Sequence, residues 1–362
     1  GFLVTGGTGF LGRHVLFTLR RLQPDARLLV LVRDAAAWRE QEWTAELGTV
    51  ELVEGPLTPT DAWRDDPRLA GVRGIFHLAA VVNHSRSAVD ETFRTNVTGT
   101  TAMVDLAAHL GCRLLFASTS GVVSCSRRPG DGAFEDGEFR DGVVGAWPYY
   151  ASKIAAEREA RALAARLGVE LVVVRPPVLL GPGDHRFRST VNVLRLLRGR
   201  VPAVPRGGMH FADVRDAADA IVRAMLLPRP RPVYHLTGTV SSLDAFFRRV
   251  AAAAGLRRTW RVLPSWLMLA AARLNRRLGS PLHVLPDPVL LEMASHHWDH
   301  RSRYAEPDLG YASRAPEETL RDTVDWLREH HPELRAATAE PPPAVRDRVS
   351  APVRDGSSTG ET

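Results

Sequence analysis

The residues with the clearest chemical meaning lie at the start of the chain. Thr5-Gly6-Gly7-Thr8-Gly9-Phe10-Leu11-Gly12 follows an apolar strand-like run and opens a helical one. A dinucleotide-binding turn needs this context: Gly6 permits the tight turn, Gly9 lets the backbone approach a pyrophosphate, and Gly12 lets helix and strand pack closely. The amides at the start of the helix then face the anion. A turn of the same sequence with no ligand is the bland alternative, so the residues downstream decide. About 20 residues beyond such a loop, at the end of the second strand, stands the group that reads the adenosine ribose. Here that stretch is Val32-Arg33-Asp34. A carboxylate there would accept from the ribose hydroxyls of NAD, whereas an arginine would pair with the 2′-phosphate of NADP. Arg33 holds the better position, and the expected cofactor is NADP(H), with a solvated strand-end charge as the alternative reading of Arg33.

A second constellation lies in Ala146-Trp147-Pro148-Tyr149-Tyr150-Ala151-Ser152-Lys153. The basic residues comprise 46 arginines and one lysine, Lys153. One lysine placed at random falls four residues after one of the five tyrosines about once in 70 trials, so coincidence is a poor explanation. Pro148 suits the first turn of a helix that runs to Leu167 before Gly168, which puts Tyr149 and Lys153 on one face. A phenol titrating near 10 is a poor acid or base at neutral pH. Lowering it by about three units takes about 4 kcal/mol, which an ammonium, a helix N-terminus and an oxidised nicotinamide can supply together. Lysine suits this task as a compact charge on a flexible stem, where arginine is a planar fork.

Apolar runs and helical-period segments alternate around these residues. Strands are expected at 2–4, 28–32, 50–53, 74–78, 113–117 and 171–174, and helices at 11–22, 97–110 and 149–167. Unbroken apolar strands alternating with helices predict an α/β fold with a doubly wound parallel sheet. Residues 1–182 are read as the dinucleotide-binding core, with returns near 210–238 that include a strand at 233–236. The returns also hold a helix at 215–225, and residues 183–209 and 239–335 are read as a smaller C-terminal substrate lobe, with helices at 191–197, 243–254, 260–278 and 315–330. From 336 to 362, Pro, Ser, Thr, Gly and charges without periodicity predict a disordered tail. The net charge is +6, but the arginines are scattered without interleaved aromatics, so a solvated surface is expected and nucleic acid is not. Cys112 and Cys125 are too few for a disulfide framework, no basic-then-apolar leader precedes the first strand, and no apolar run approaches the roughly 20 residues of a spanning helix. The expected compartment is the cytoplasm.

Taken together, the motifs resemble the short-chain dehydrogenase/reductase superfamily, extended class, from Gly1 to about His330. The resemblance adds to the glycine loop and the Tyr149/Lys153 pair the segments His77-Leu78-Ala79-Ala80, Asn96-Val97-Thr98-Gly99-Thr100, Ser118-Thr119-Ser120, Arg175-Pro176-Pro177-Val178 with Gly181-Pro182, and Val214-Arg215-Asp216-Ala217-Ala218. It implies a Rossmann core and roles for single residues. Thr119 would hydrogen-bond the substrate oxygen, with Ser118 and Ser120 as near alternatives. Tyr149 would exchange the proton, and Lys153 would depress its pKa and hold the nicotinamide ribose. Ala79, Ala80, Asn96, Pro177 and Val178 would line the cofactor, with Pro56-Leu57 beside the adenine. Pro56 stands where relatives usually carry Asp, so the adenine contact that an Asp side chain would make is not implied here. Strand-end hydroxyls are also common turn formers, Asn96 could be a satisfied helix-terminal group, and Asp216 more readily holds structure. His296-His297-Trp298-Asp299-His300 suggests a metal site, but no second ligand set accompanies it.

Three chemistries compete within this fold: reduction of a ketone, epimerisation or dehydration of a nucleotide sugar with NAD, and dinucleotide binding without turnover. Nucleotide-sugar enzymes of the family carry an arginine for the diphosphate where Met209-His210-Phe211-Ala212-Asp213 stands here, and that loss weakens the second chemistry. The segments Arg198-Gly199-Arg200-Val201-Pro202, Pro205-Arg206-Gly207-Gly208 and Pro307-Asp308-Leu309-Gly310-Tyr311 resemble the dihydroflavonol-reductase and 3β-hydroxysteroid-dehydrogenase branch. The expected reaction is NADPH-dependent reduction of a carbonyl on a hydrophobic small molecule. The segment from Arg127 to Trp147 would lid the site, 263–278 could line an apolar pocket or rest on a membrane surface, and the superfamily suggests a homodimer.

Overall fold

A computed structural model describes residues 1–84, 88–277 and 287–336. The expected tail beyond 336 lies outside the described residues. Seven strands form one sheet: β1 (Phe2–Thr5), β2 (Leu28–Val32), β3 (Glu51–Glu54), β4 (Gly74–His77), β5 (Arg113–Ala117), β6 (Leu171–Arg175) and β7 (Val233–His235). Their order is β7-β6-β5-β4-β1-β2-β3, every pair parallel. β1, β2, β4 and β7 are buried along their whole length, the state expected of strands covered on both faces. Helices Phe10–Leu22 and Val214–Leu226 bury Val15, Leu16, Leu19, Ala217, Ile221 and Met225 against one face. Helices Gly99–Leu110 and Pro148–Leu167 bury Met103, Val104, Ala107, Ala160 and Ala164 against the other. The strand order reverses beside β1, where β2 lies to one side and β4 to the other. In open α/β sheets that crevice at the strand C-termini is where ligands bind.

The second lobe differs from the sequence expectation in its strands. A three-stranded sheet joins Val178–Leu180 in parallel and Thr239–Ser242 in antiparallel fashion to a central Gly208–Asp213. Around it Val193, Leu196, Leu197, Phe246, Val250, Leu320, Val324 and Leu327 form a separate core. Residues 260–278 are not one helix: Arg261–Leu263 is a strand paired with Ala203–Pro205, and the helix begins only at Ser265. Pro264 accounts for the break, because its ring disfavours helical backbone at Leu263. Segment 127–147 is tied down as well. Arg301 donates its amide to the Ala133 carbonyl at 2.8 Å, and the buried Glu135 accepts from Ser302 Oγ at 2.7 Å and the Arg303 amide at 3.1 Å.

Candidate active site at the reversal of the sheet

The glycine loop closes the end of β1. Gly6 has φ +73°, a left-handed backbone that favours glycine, and a Cβ there would sit 2.6 Å from the Ala79 amide nitrogen. A Cβ on Gly12 would run into the Gly6 carbonyl, so helix and strand meet as closely as the motif requires. Gly9 donates its amide to the Gly6 carbonyl at 2.9 Å. Gly9 is also the N-cap of the helix Phe10–Leu22, and no side chain caps that end. The first-turn amides therefore point into the crevice as donors. At the end of β2, Asp34 is engaged as a cap, accepting from the Ala37 amide at 2.9 Å. Arg33 is exposed and makes no ion pair with any described residue. These features fit a dinucleotide: a cradle too narrow for side chains, an uncapped helix N-terminus and a cation at the ribose end. Pro56 offers its carbonyl to Trp63 Nε1 at 2.8 Å, and Leu57 packs against Gly99.

A directed chain of hydrogen bonds joins this cradle to the Pro148 helix. Thr100 Oγ1 donates to the Asn96 carbonyl at 2.6 Å, so it accepts from His77 Nε2 at 3.0 Å. His77 Nδ1 then accepts from Thr5 Oγ1 at 2.8 Å, and Thr5 Oγ1 takes the Ala79 amide at 3.3 Å. Burial holds the His77 imidazole neutral, pushing its pKa down to about 3. Asn96 lies in a widened single turn, Arg94–Thr98, with i→i+5 geometry, a form often found at functional sites. Its amide is fully engaged: Oδ1 accepts from Val81 N at 2.8 Å, and Nδ2 donates to Val81 O at 3.0 Å and Ser152 Oγ at 2.9 Å. Ser152 Oγ in turn donates to the Tyr149 carbonyl at 2.7 Å. Asn96 thus acts as a strut between the segment after β4 and the helix bearing Tyr149.

Lys153 is buried, donates to the Ala117 carbonyl at 2.8 Å and lies 4.7 Å from the centre of the Phe116 ring. Burial pushes its pKa down to about 7, opposed by the charge of Glu157. Burial also pushes the Tyr149 phenol above its ordinary value. The two residues alone therefore do not produce an acidic phenol. One turn beyond Lys153, Glu157 accepts from Arg175 Nη2 at 2.5 Å and Nε at 3.1 Å, from Arg161, and from Ser118 Oγ at 2.7 Å. Ser118 is thereby engaged as a strut. Thr119 Oγ1 accepts the Gly121 amide at 3.4 Å, which leaves its own proton to give, and the buried Ser120 opens the short helix Gly121–Ser124.

An aromatic wall backs Tyr149. Its ring centre lies 5.1 Å from that of Tyr150, which stands 6.0 Å from Trp147 and 5.2 Å from Trp298. The motifs did not single out His84, whose ring centre lies 5.3 Å from that of Tyr149 and whose buried Nδ1 has no hydrogen-bond partner among the described residues. Nothing in the spacing after Ala80 marks it, because the chain is irregular there. Above the crevice, Arg186 reaches Thr8 Oγ1 at 3.5 Å and Arg188 donates to the Val82 carbonyl at 2.7 Å. Pro177 precedes Val178, the exposed first residue of its strand. Met209 is buried in the lobe core. Among the described residues no three or more His, Cys, Asp or Glu side chains are arranged to hold a metal. His300 instead donates from Nε2 to the Leu236 carbonyl at 2.9 Å and packs against His210 and His235.

Comparison with known proteins places this geometry. The model of the NAD dependent epimerase/dehydratase family matches residues 2–236. A Synechocystis protein with the provisional name dihydroflavonol 4-reductase is 27% identical over 340 residues, covering 91% of this chain and 95% of its own. Mouse 3 beta-hydroxysteroid dehydrogenase type 7 is 26% identical over 356 residues, covering 90% and 95%. Among solved structures, gox2253 superposes with TM-score 0.76 at 26% identity, over 91% of this chain and 98% of that one. MoeE5, solved with UDP-glucose and NAD, shares the fold with TM-score 0.65 at 24% identity, over 91% and 99%.

Proposed function

Since the chain belongs to the NAD-dependent epimerase/dehydratase family, we propose that it reduces a carbonyl of a hydrophobic small molecule to the alcohol with NADPH. The observation that carries this reading is the joint placement of Tyr149 and the buried Lys153 on one helix face, beside the glycine cradle and against an aromatic wall. The bound cofactor supplies hydride. The chain's own residues bind, orient and move the proton. Gly6, Gly7, Thr8, Gly9, Phe10, Leu11 and Gly12 would hold the pyrophosphate, and Arg33 the 2′-phosphate. Ala79, Ala80, Pro177 and Val178 would line the rest, with Asn96 fixing the Val81 backbone beside them. Thr119 would donate its hydroxyl to the substrate oxygen, with Ser120 the neighbouring candidate after Ser118 is committed to Glu157. Tyr149 would hand its proton to the nascent alkoxide, a step in which Lys153 offsets the charge left on the phenolate.

Three observations support the finer points. Asp34 is occupied as a cap while Arg33 is not ion-paired with any described residue, which favours NADP(H). The wall of Trp147, Tyr150 and Trp298 favours an apolar substrate. The buried Met209 stands where a diphosphate-gripping arginine would be needed for a nucleotide sugar. The test is a panel of apolar ketones assayed with NADPH and with NADH, alongside an absorption spectrum of the purified protein. Ketone-dependent oxidation of NADPH is the expected outcome. Tightly retained NAD with no ketone reduction would overturn cofactor and reaction together and favour the epimerase reading.

A further inference from the structure

Helix Ser265–Arg277 is built the wrong way round for an ordinary lobe helix. Met268 and Ala272 are buried against Leu291, but the outer face is also apolar. Trp266 is 70% exposed, Leu274 57% and Leu267 42%, and Ala270 and Ala271 are exposed between them. At 100° per residue these five side chains fall within an arc of about 140°. Val262, on the strand leading into the helix, is 44% exposed. An outward apolar stripe led by a tryptophan is costly in water, so something covers it.

The surrounding charge identifies what. Between Asp244 and Asp287 the sequence holds eight arginines and no acidic residue. Arg257, Arg258 and Arg261 are exposed just before the helix, Arg273 borders its apolar stripe, and Arg277 closes the stripe at the C-terminal end of the helix. A second copy of this chain seated on the same face would bring these cations against their own counterparts. An anionic lipid surface is complementary to both features: it takes the apolar face into the boundary of headgroups and acyl chains, and pairs the arginines with phosphates. Thirteen residues cannot cross a bilayer but can lie in its surface.

The same helix is mechanically linked to the candidate site. Arg273 donates to Glu292 Oε1 at 2.9 Å, and Glu292 Oε2 accepts from Trp147 Nε1 at 3.4 Å, two residues before Tyr149. Val289 and Met293, from the helix beneath, belong to the packed cluster of Trp147, Tyr149 and Tyr150. We propose that helix Ser265–Arg277 docks the protein on anionic membrane surfaces, with Trp266, Leu267 and Leu274 inserted and the flanking arginines at the headgroups. The inference stands on the surface alone and does not depend on the reductase reading.

The test is flotation of the full chain with phosphatidylcholine vesicles, with and without phosphatidylglycerol. The expected result is flotation with the anionic vesicles, weakened by added salt. In the variant Trp266→Glu/Leu274→Glu the bound fraction should fall about tenfold or more, with an unchanged circular dichroism spectrum and melting point. A full chain that stays unbound with anionic vesicles overturns the proposal. So does binding that the variant retains, or sedimentation that shows wild-type dimers and variant monomers, because the occupant would then be a second copy.

Discussion

Replacing Glu157 by Gln tests the buried scaffold under the site with a single atom-scale change. Glu157 is fully buried, and its main partner, the Arg175 guanidinium, is 2% exposed. Burial pushes the Glu157 carboxyl up, but Arg175, Arg161 and Ser118 together pull its pKa below the ordinary value of 4.5. The amide keeps the shape and one acceptor but leaves the Arg175 charge uncompensated, and breaking a buried pair from one side costs about 3–5 kcal/mol. Ser118 can still donate to the amide oxygen, and the partly exposed Arg161 adds less than about 1 kcal/mol, so a loss of about 3 kcal/mol is expected. In thermal unfolding this is a drop of about 6 °C, at about 2 °C per kcal/mol for a chain this large. The carboxylate contributes its stability above the unfolded value near 4.5, and that contribution is lost as pH falls through the lower folded value. The gap between wild type and variant should therefore be full at neutral pH and close progressively below about pH 4.5. Removing both charges, in Glu157→Gln/Arg175→Met, should cost less than the sum of the singles. A single-variant loss below about 1 kcal/mol, or strict additivity in the double variant, would refute this account of the scaffold.

Further expectations concern the site itself. Lys153→Arg should lower kcat about a hundredfold, because a planar fork is a poor substitute for a compact charge beside Tyr149, while crowding over Phe116 costs about 1–3 kcal/mol of stability and leaves the fold intact by circular dichroism. Arg33→Ala should raise KM for NADPH about tenfold, the equivalent of about 1.4 kcal/mol, and leave KM for NADH unchanged; equal effects on both would remove Arg33 from the 2′-phosphate. Alanine at Thr119 should lower kcat at least tenfold, whereas a loss confined to Ser120→Ala would move the substrate hydroxyl one residue along.

The main sheet and the Tyr149/Lys153 pair were legible in the sequence because both rest on local spacing. β1, β2, β4, β5 and β6 carry unbroken apolar runs set off by turn residues, and a four-residue separation on a helix places two side chains on one face whatever surrounds them. The sheet of Val178–Leu180, Gly208–Asp213 and Thr239–Ser242 was not legible, because Gly208–Asp213 and Thr239–Ser242 mix polar with apolar residues and carry no apolar run to mark them as strands. The Glu157–Arg175–Ser118 cluster escaped for a related reason: its members lie 18 and 39 residues apart, and their types alone suggest only surface charge and turn chemistry. Asn96 was found through its motif, but its use as a strut required the positions of Val81 and Ser152.

The central claim is that Tyr149 carries the proton in a ketone reduction. Its most direct test is the steady-state rate of ketone-dependent NADPH oxidation by Tyr149→Phe, measured beside the NADPH dissociation constant of the same variant. A fall in kcat of about 10²–10⁴, with NADPH binding within about twofold of wild type, is the predicted result. Turnover that survives the loss of the phenol would contradict the account.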